Sequence, residues 1–280
     1  MKQLSTIILA CFLMLTARTS TAFSMIEYQD TFVIKDHLSL ELDIDGAELE
    51  VRSHASVNQC QVYIEYSKEN CDVDVQFNPE RGTLHVSTDS DFWKMKNNKG
   101  KAPSVKIDIP TGVKVEIDAN IKAGEIEFKF GEIHLTGFEL RNWAGETAIE
   151  FSKPNRELMK SFDVNCKVGE VNLLNLGNAR FEEAEINSGI GELNVDFSGD
   201  LLEKVMARID LDLGETHITV PEEPGAKLRV SKTFIVAEIN IDDWFNKEGQ
   251  YYYSKNYRTA EKSLYLIITT GLGELSIDSI

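Results

Sequence analysis

The dipeptide Gly-Glu returns through the second half of the chain at a nearly fixed interval, and that interval limits the fold more than any other feature. The copies that keep this interval are Gly124-Glu125, Gly145-Glu146, Gly169-Glu170, Gly191-Glu192, Gly214-Glu215 and Gly273-Glu274, with Ala237-Glu238 in the same role. Successive spacings are 21, 24, 22, 23, 23 and 36 residues. A period near 23 marks stacked repeats, and the last interval is one period lengthened by about 13 residues.

Directly before each small residue stand Ala123, Ala144, Val168, Ile190, Leu213, Val236 and Leu272. Apolar residues continue at every second position further back, as in Val164/Cys166 and Ile209/Leu211. After the glutamate the alternation resumes, as in Ile126/Phe128/Phe130 and Leu193/Val195/Phe197. Period-two patterning predicts a strand on each side, with all of these residues on one inward face. Across the dipeptide the inward positions lie three apart, which predicts a bulge or corner.

The expected fold is therefore all-β: a β-solenoid of stacked two-strand rungs, turning at Gly124, Gly145, Gly169, Gly191, Gly214, Ala237 and Gly273. Seven rungs at ~4.8 Å would make a slab roughly 30 Å long. Because Ala237 shares the position, small size rather than positive φ is the expected demand. Gly191→Ala should then be tolerated and Gly191→Val should not. Glu125, Glu146, Glu170, Glu192, Glu215, Glu238 and Glu274 should form a carboxylate column along one edge. That column is read as a solvated corner; the alternative is a cation ladder, for Ca²⁺.

Residues 1–22 have the layout of a secretory signal peptide. Lys2 precedes an uncharged run from Leu4 to Ala17, and Ser20-Thr21-Ala22 predicts cleavage after Ala22. The rest of the chain holds no run near the ~20 apolar residues of a membrane span. The mature chain is expected to be exported, periplasmic or secreted, without a span. Loss of Lys2 and Arg18 moves the net charge from −17 to −19, which disfavours nucleic acid and anionic lipid as partners.

Residues 23–110 read as a β-rich N-terminal part of the same domain, and 111–280 as the repeat region. VYIEY (62–66) and VDVQF (73–77) suggest a hairpin turning at 67–70, which would separate Cys60 from Cys71; their pairing as a disulfide stays open. NPERG (78–82) is a turn into TLHVS (83–87). DIDG (43–46) resembles the start of a calcium loop, but Arg52 stands where its bidentate Glu would be.

The insertion, residues 242–263, gathers Trp244, Phe245, Tyr251, Tyr252, Tyr253 and Tyr257. It suits either a cap over the exposed apolar end of a solenoid or a binding site for a sugar or protein. A second irregular stretch, DFWKMKNNKGK (91–101), reads as a solvated loop. His37, His54, His85, His134 and His217 are scattered, and no nucleophile elbow, phosphate loop or dinucleotide fingerprint occurs. Cys166 has core parity, as an inert thiol would. No cofactor is implied.

PSVKIDIPTGVKVEIDANIKAGEIEF (103–128) resembles the "putative adhesin", or toast-rack, family of bacterial domains of unknown function. Those carry a short strand ending in Pro-x-Gly, an alternating strand, and Gly-Asp/Glu-Ile, repeated; the likeness covers roughly residues 38–280. The resemblance implies an extracytoplasmic β-solenoid of the cell envelope, in some members linked to envelope-stress signalling, with no catalytic residues to carry over. The expectation is a non-enzymatic acidic binding or scaffold surface for an envelope or extracellular protein or glycan. Alternatives are a polysaccharide hydrolase or lyase on a β-helical scaffold, or a stress-signalling partner.

Overall fold

The computed structural model describes residues 24–90, 102–232 and 238–280. The expected signal peptide, the 91–101 loop and Ala237 lie outside the described residues. Those described form strands β1 (Met25–Val33), β2 (His37–Ile44), β3 (Ala47–His54), β4 (Gln59–Ser67), β5 (Cys71–Asn78), β6 (Thr83–Ser90) and β7 (Ser104–Pro110). Next come β8 (Lys114–Ile121), β9 (Gly124–Phe130), β10 (His134–Asn142), β11 (Gly145–Phe151), β12 (Phe162–Leu174), β13 (Glu183–Asp196) and β14 (Lys204–Val220). The last are β15 (Gly225–Lys232), β16 (Glu238–Ile241), β17 (Phe245–Glu248), β18 (Tyr251–Ser254) and β19 (Ser263–Ser279).

The fold is the all-β solenoid of two-strand rungs that the period requires. A first sheet runs β6–β2–β8–β10–β12–β13–β14–β19–β15, parallel throughout. A second runs β7–β3–β9–β11–β12–β13–β14–β19–β16, also parallel. β12, β13, β14 and β19 cross the corner unbroken and so belong to both sheets. Nine rungs are stacked among the described residues. They include β2/β3, with its corner at Ala47-Glu48, and β6/β7.

Rung order departs from chain order at both ends. β2/β3 sits between β6/β7 and β8/β9. The C-terminal strand β19 slides between β14 and β15/β16, so Gly273 stacks on Gly214 and the rung of Glu238 becomes terminal. The long last interval thus records a detour out to the end of the stack and back.

Antiparallel strands cover the ends. β1 and β4 cover the second sheet beyond β7, while β5 covers the first beyond β6. The turn at 78–82 forms as read, with Asn78 opposite Thr83. The expected β4–β5 hairpin does not form, because the two strands end on different sheets. Cys60, Cys71 and Cys166 are free and buried.

The two sheets face one another across a continuous apolar core. Phe138, Phe162 and Phe181 stack along the axis, with centroids 5.5 and 5.4 Å apart, close to one rung step. Ile133, Met159, Leu176, Phe181, Phe197 and Leu201 close the third side. There, Asn155 is fully buried and bridges turns. Its Oδ1 accepts the Leu135 N–H at 2.9 Å, while its Nδ2 donates to the Leu135 and Ala179 carbonyls.

One expectation about the rungs is reversed. Val168, Ile190, Leu213 and Leu272, read as inward, are 49, 49, 42 and 38% exposed. The core positions are instead those two residues earlier, Cys166, Ser188, Leu211 and Thr270, and two after the glycine, such as Val171 and Leu193. The glycines have φ between +121° and +148°, a mirror-image extended conformation that breaks the side-chain alternation. Four residues cross outside each corner where two were expected.

Candidate binding surface at the capped end

Beyond Ile241 the chain leaves the second sheet, turns over the end of the stack and returns as the β17–β18 hairpin. Asp242 starts the turn by accepting the Trp244 N–H at 2.7 Å, and Phe245 is buried. The hairpin pairs Phe245 with Ser254 and Glu248 with Tyr251. β18 then lies antiparallel on β15, setting Tyr253 opposite Lys227 and Tyr251 opposite Arg229. The buried Ser254 hydroxyl accepts the Ala226 N–H at 2.8 Å and donates to Asn256. In this way the hairpin occupies the ladder edge that β15 would otherwise expose.

Strand alternation divides the six predicted aromatics into two sets. Trp244, Phe245 and Tyr252 pack on the core. Tyr251, Tyr253 and Tyr257 cluster outside, with ring centroids 6.1 Å (Tyr251–Tyr253) and 4.8 Å (Tyr253–Tyr257) apart. The Lys227 ammonium lies 4.0 Å from the Tyr251 ring centre and 4.8 Å from that of Tyr265. Lys247 and Lys255 sit over Tyr252 and Trp244, both at 5.1 Å. Such contacts contribute roughly 0.5–1 kcal/mol each at exposed sites and hold rings and cations in fixed places. Sequence reading missed Tyr265 and Lys227. Both occupy outward positions of ordinary-looking strands and join the cluster only because β18 and β19 flank β15.

The corner carries a second ordered array. Glu48, Glu125, Glu146, Glu170, Glu192, Glu215, Glu274 and Glu238 follow one another in register on eight successive rungs. Glu48 escaped notice because Ala47 lies 77 residues ahead of Gly124, off the regular spacing, although AELEV (47–51) patterns like GEIEF (124–128). Among the described residues no three His, Cys, Asp or Glu side chains converge as metal ligands.

Beside the column, on the outer face of the second sheet, Glu48, Glu50, Glu125, Glu127, Glu146 and Lys106 line an open hollow of about 320 Å³. Glu50 faces Lys106 at 3.8 Å and Lys129 at 3.4 Å. Among the described residues, burial pushes the Cys60 thiol up to about 12 and those of Cys71 and Cys166 up to about 11.

Residues 17–169 match the N-terminal domain of toast_rack, DUF2154. The chain belongs to the toast-rack family. Residues 167–277 of this toast-rack chain also match the C-terminal domain of the cell wall-active antibiotics response protein LiaF. The two matches together fit an envelope-associated protein. No match is found among curated proteins. Among solved structures, the chain is similar to a "putative cell adhesion protein" from Clostridium sporogenes, at 17% identity. That alignment covers 91% of this chain and 100% of the other, with a TM-score of 0.43. A "putative adhesin" from Bacteroides fragilis aligns at 14% identity over 91% and 99%, with a TM-score of 0.41. No helix among the described residues is long and apolar enough to cross a membrane.

Proposed function

We propose that this toast-rack chain is a non-enzymatic exported scaffold that binds an envelope glycan or protein through its capped end. One observation carries the reading. Tyr251 and Tyr253 on the β17–β18 hairpin, with Tyr257 in the turn after it, present three clustered rings beside Lys227 at the end of the stack. Ring faces stack on sugars or fill a protein hot spot, and a neighbouring cation selects anionic groups on the same partner. Export rests on the apolar N-terminal run, and Edman sequencing of the mature protein should begin at Phe23.

Co-sedimentation with purified cell-wall glycan, and retention of envelope proteins by immobilised protein, test the site. Replacing Tyr251, Tyr253 and Tyr257 together by Ser should lower retention at least ~10-fold with the melting temperature nearly unchanged. Full retention by that variant rejects the reading. Two other readings each have an observation in their favour. The LiaF-like match over 167–277 favours a stress-signalling partner, read out as an altered envelope-stress reporter when the gene is deleted. The glutamate-lined hollow favours a polysaccharide hydrolase or lyase, and Glu125→Gln should then abolish release of sugar ends.

A further inference from the structure

The exposed apolar row at the corner serves neither the core nor the cap. Val168, Ile190, Leu213 and Leu272 are consecutive partners on adjacent parallel rungs, so their side chains form one unbroken ridge. Each is followed two residues later by Glu170, Glu192, Glu215 or Glu274, which places an acidic rail within about 7 Å of the ridge. Among the described residues no Lys or Arg forms an ion pair with these four glutamates; Glu170 and Glu192 accept only from the side chains of Asn172 and Asn194. The ridge is therefore apolar on its crest and bears uncompensated negative charge along one flank.

Spacing identifies the shape that fits. Rungs repeat at ~4.8 Å, and an α-helix laid along the axis presents one apolar layer every ~5.4 Å. Over three steps the two drift by only about 2 Å. A strand offers one side chain per face every ~6.7 Å and drifts by roughly 6 Å over the same distance. A second copy of this chain would bring its own glutamate rail against this one.

We propose that the corner from Val168 to Leu272 docks a basic amphipathic helix of a partner protein. The helix lays its apolar stripe on the ridge and a Lys/Arg row along Glu170, Glu192, Glu215 and Glu274. The site is separate from the aromatic cap, so either can fail without the other.

The test uses the full-length protein and a fluorescent 21-residue helical peptide. Leu repeats every third and fourth position of the peptide, Lys lines one flank, and Ala fills the rest; a second peptide carries Glu for Lys. Anisotropy titrations should show binding of the basic peptide that weakens with salt, and none of the acidic one. Ile190→Asp with Leu213→Asp should reduce affinity at least ~10-fold, as should Glu192→Lys with Glu215→Lys. Should the first pair fail to fold, the charge-reversal pair decides alone, since its side chains lie outside the core. The triple tyrosine variant should bind normally. Equal affinity for both peptides, or insensitivity to the variants, overturns the proposal. So does self-association of the free protein that the Ile190→Asp/Leu213→Asp pair abolishes, which would assign the ridge to a second copy.

Discussion

At Gly191 the backbone sits at φ +142°, and a Cβ added there would overlap the carbonyl oxygen of Gly169 on the neighbouring rung. Two penalties therefore coincide: a conformation that costs an L-residue about 1–3 kcal/mol, and a wedge between stacked strands. Gly191→Ala, expected from the sequence to be tolerated, should instead cost at least about 3 kcal/mol. For a chain of this size that lowers the melting temperature by roughly 6–12 °C. Gly249, with φ +64° and nothing within 4 Å of its added Cβ, separates the two penalties. Gly249→Ala meets only the left-handed cost of about 1–2 kcal/mol, or roughly 2–8 °C. Thermal melts followed by circular dichroism measure both. Equal losses would mean that conformation alone, and not the close approach of rungs, keeps glycine at the corner.

At the scale of elements, the chain was legible where information is local and opaque where it is not. The period placed the strands because each rung repeats its own inward pattern beside a Gly-Glu corner. It could not order them, since spacing along the chain says nothing about which rung stacks on which. Only the structure shows β19 inserted beneath β15. The ridge was misread for a related reason: Val168 and Ile190 are as apolar as core residues, and hydrophobicity alone does not show that a mirror-extended glycine has turned them outward.

The cap was legible in composition but not in its division of labour, which depends on β18 pairing with β15. Its anchor gives a pH-dependent prediction. The N–H of Trp244, and secondarily Ser279, holds the Asp242 carboxyl below the usual aspartate range. A lowered folded-state value stabilises above the unfolded value of about 3.9 and loses that contribution as pH falls through the lower folded one. Exchange of the Ala226 amide, relative to that of Ile209 on an interior rung, should therefore accelerate below about pH 4. Asp242→Ala should show the faster ratio at every pH, with no such step.

For the molecule as a whole, the stack must tolerate its own charge. The net charge is −17, and eight glutamates stand one rung apart along a single edge. Unit charges at ~4.8 Å repel by about 0.9 kcal/mol in bulk water. Seven adjacent pairs at that value would amount to several kcal/mol, so the rail should be a measurable burden at low ionic strength and a small one once screened. Raising NaCl from 10 to 500 mM shortens the Debye length from about 30 Å to a few ångströms. The melting temperature should rise across that range. Glu192→Gln with Glu215→Gln should raise it most at the low-salt end and flatten the slope, because two charges in the middle of the column take part in three of its contacts. Calcium discriminates between a solvated rail and a cation ladder. At matched ionic strength CaCl₂ should do no more than NaCl, since monodentate carboxylates spaced along a straight edge do not converge on one ion. A stabilisation that saturates at micromolar Ca²⁺ and disappears in the Gln pair would make the column a binding site, and would compete with any basic helix for the same charge.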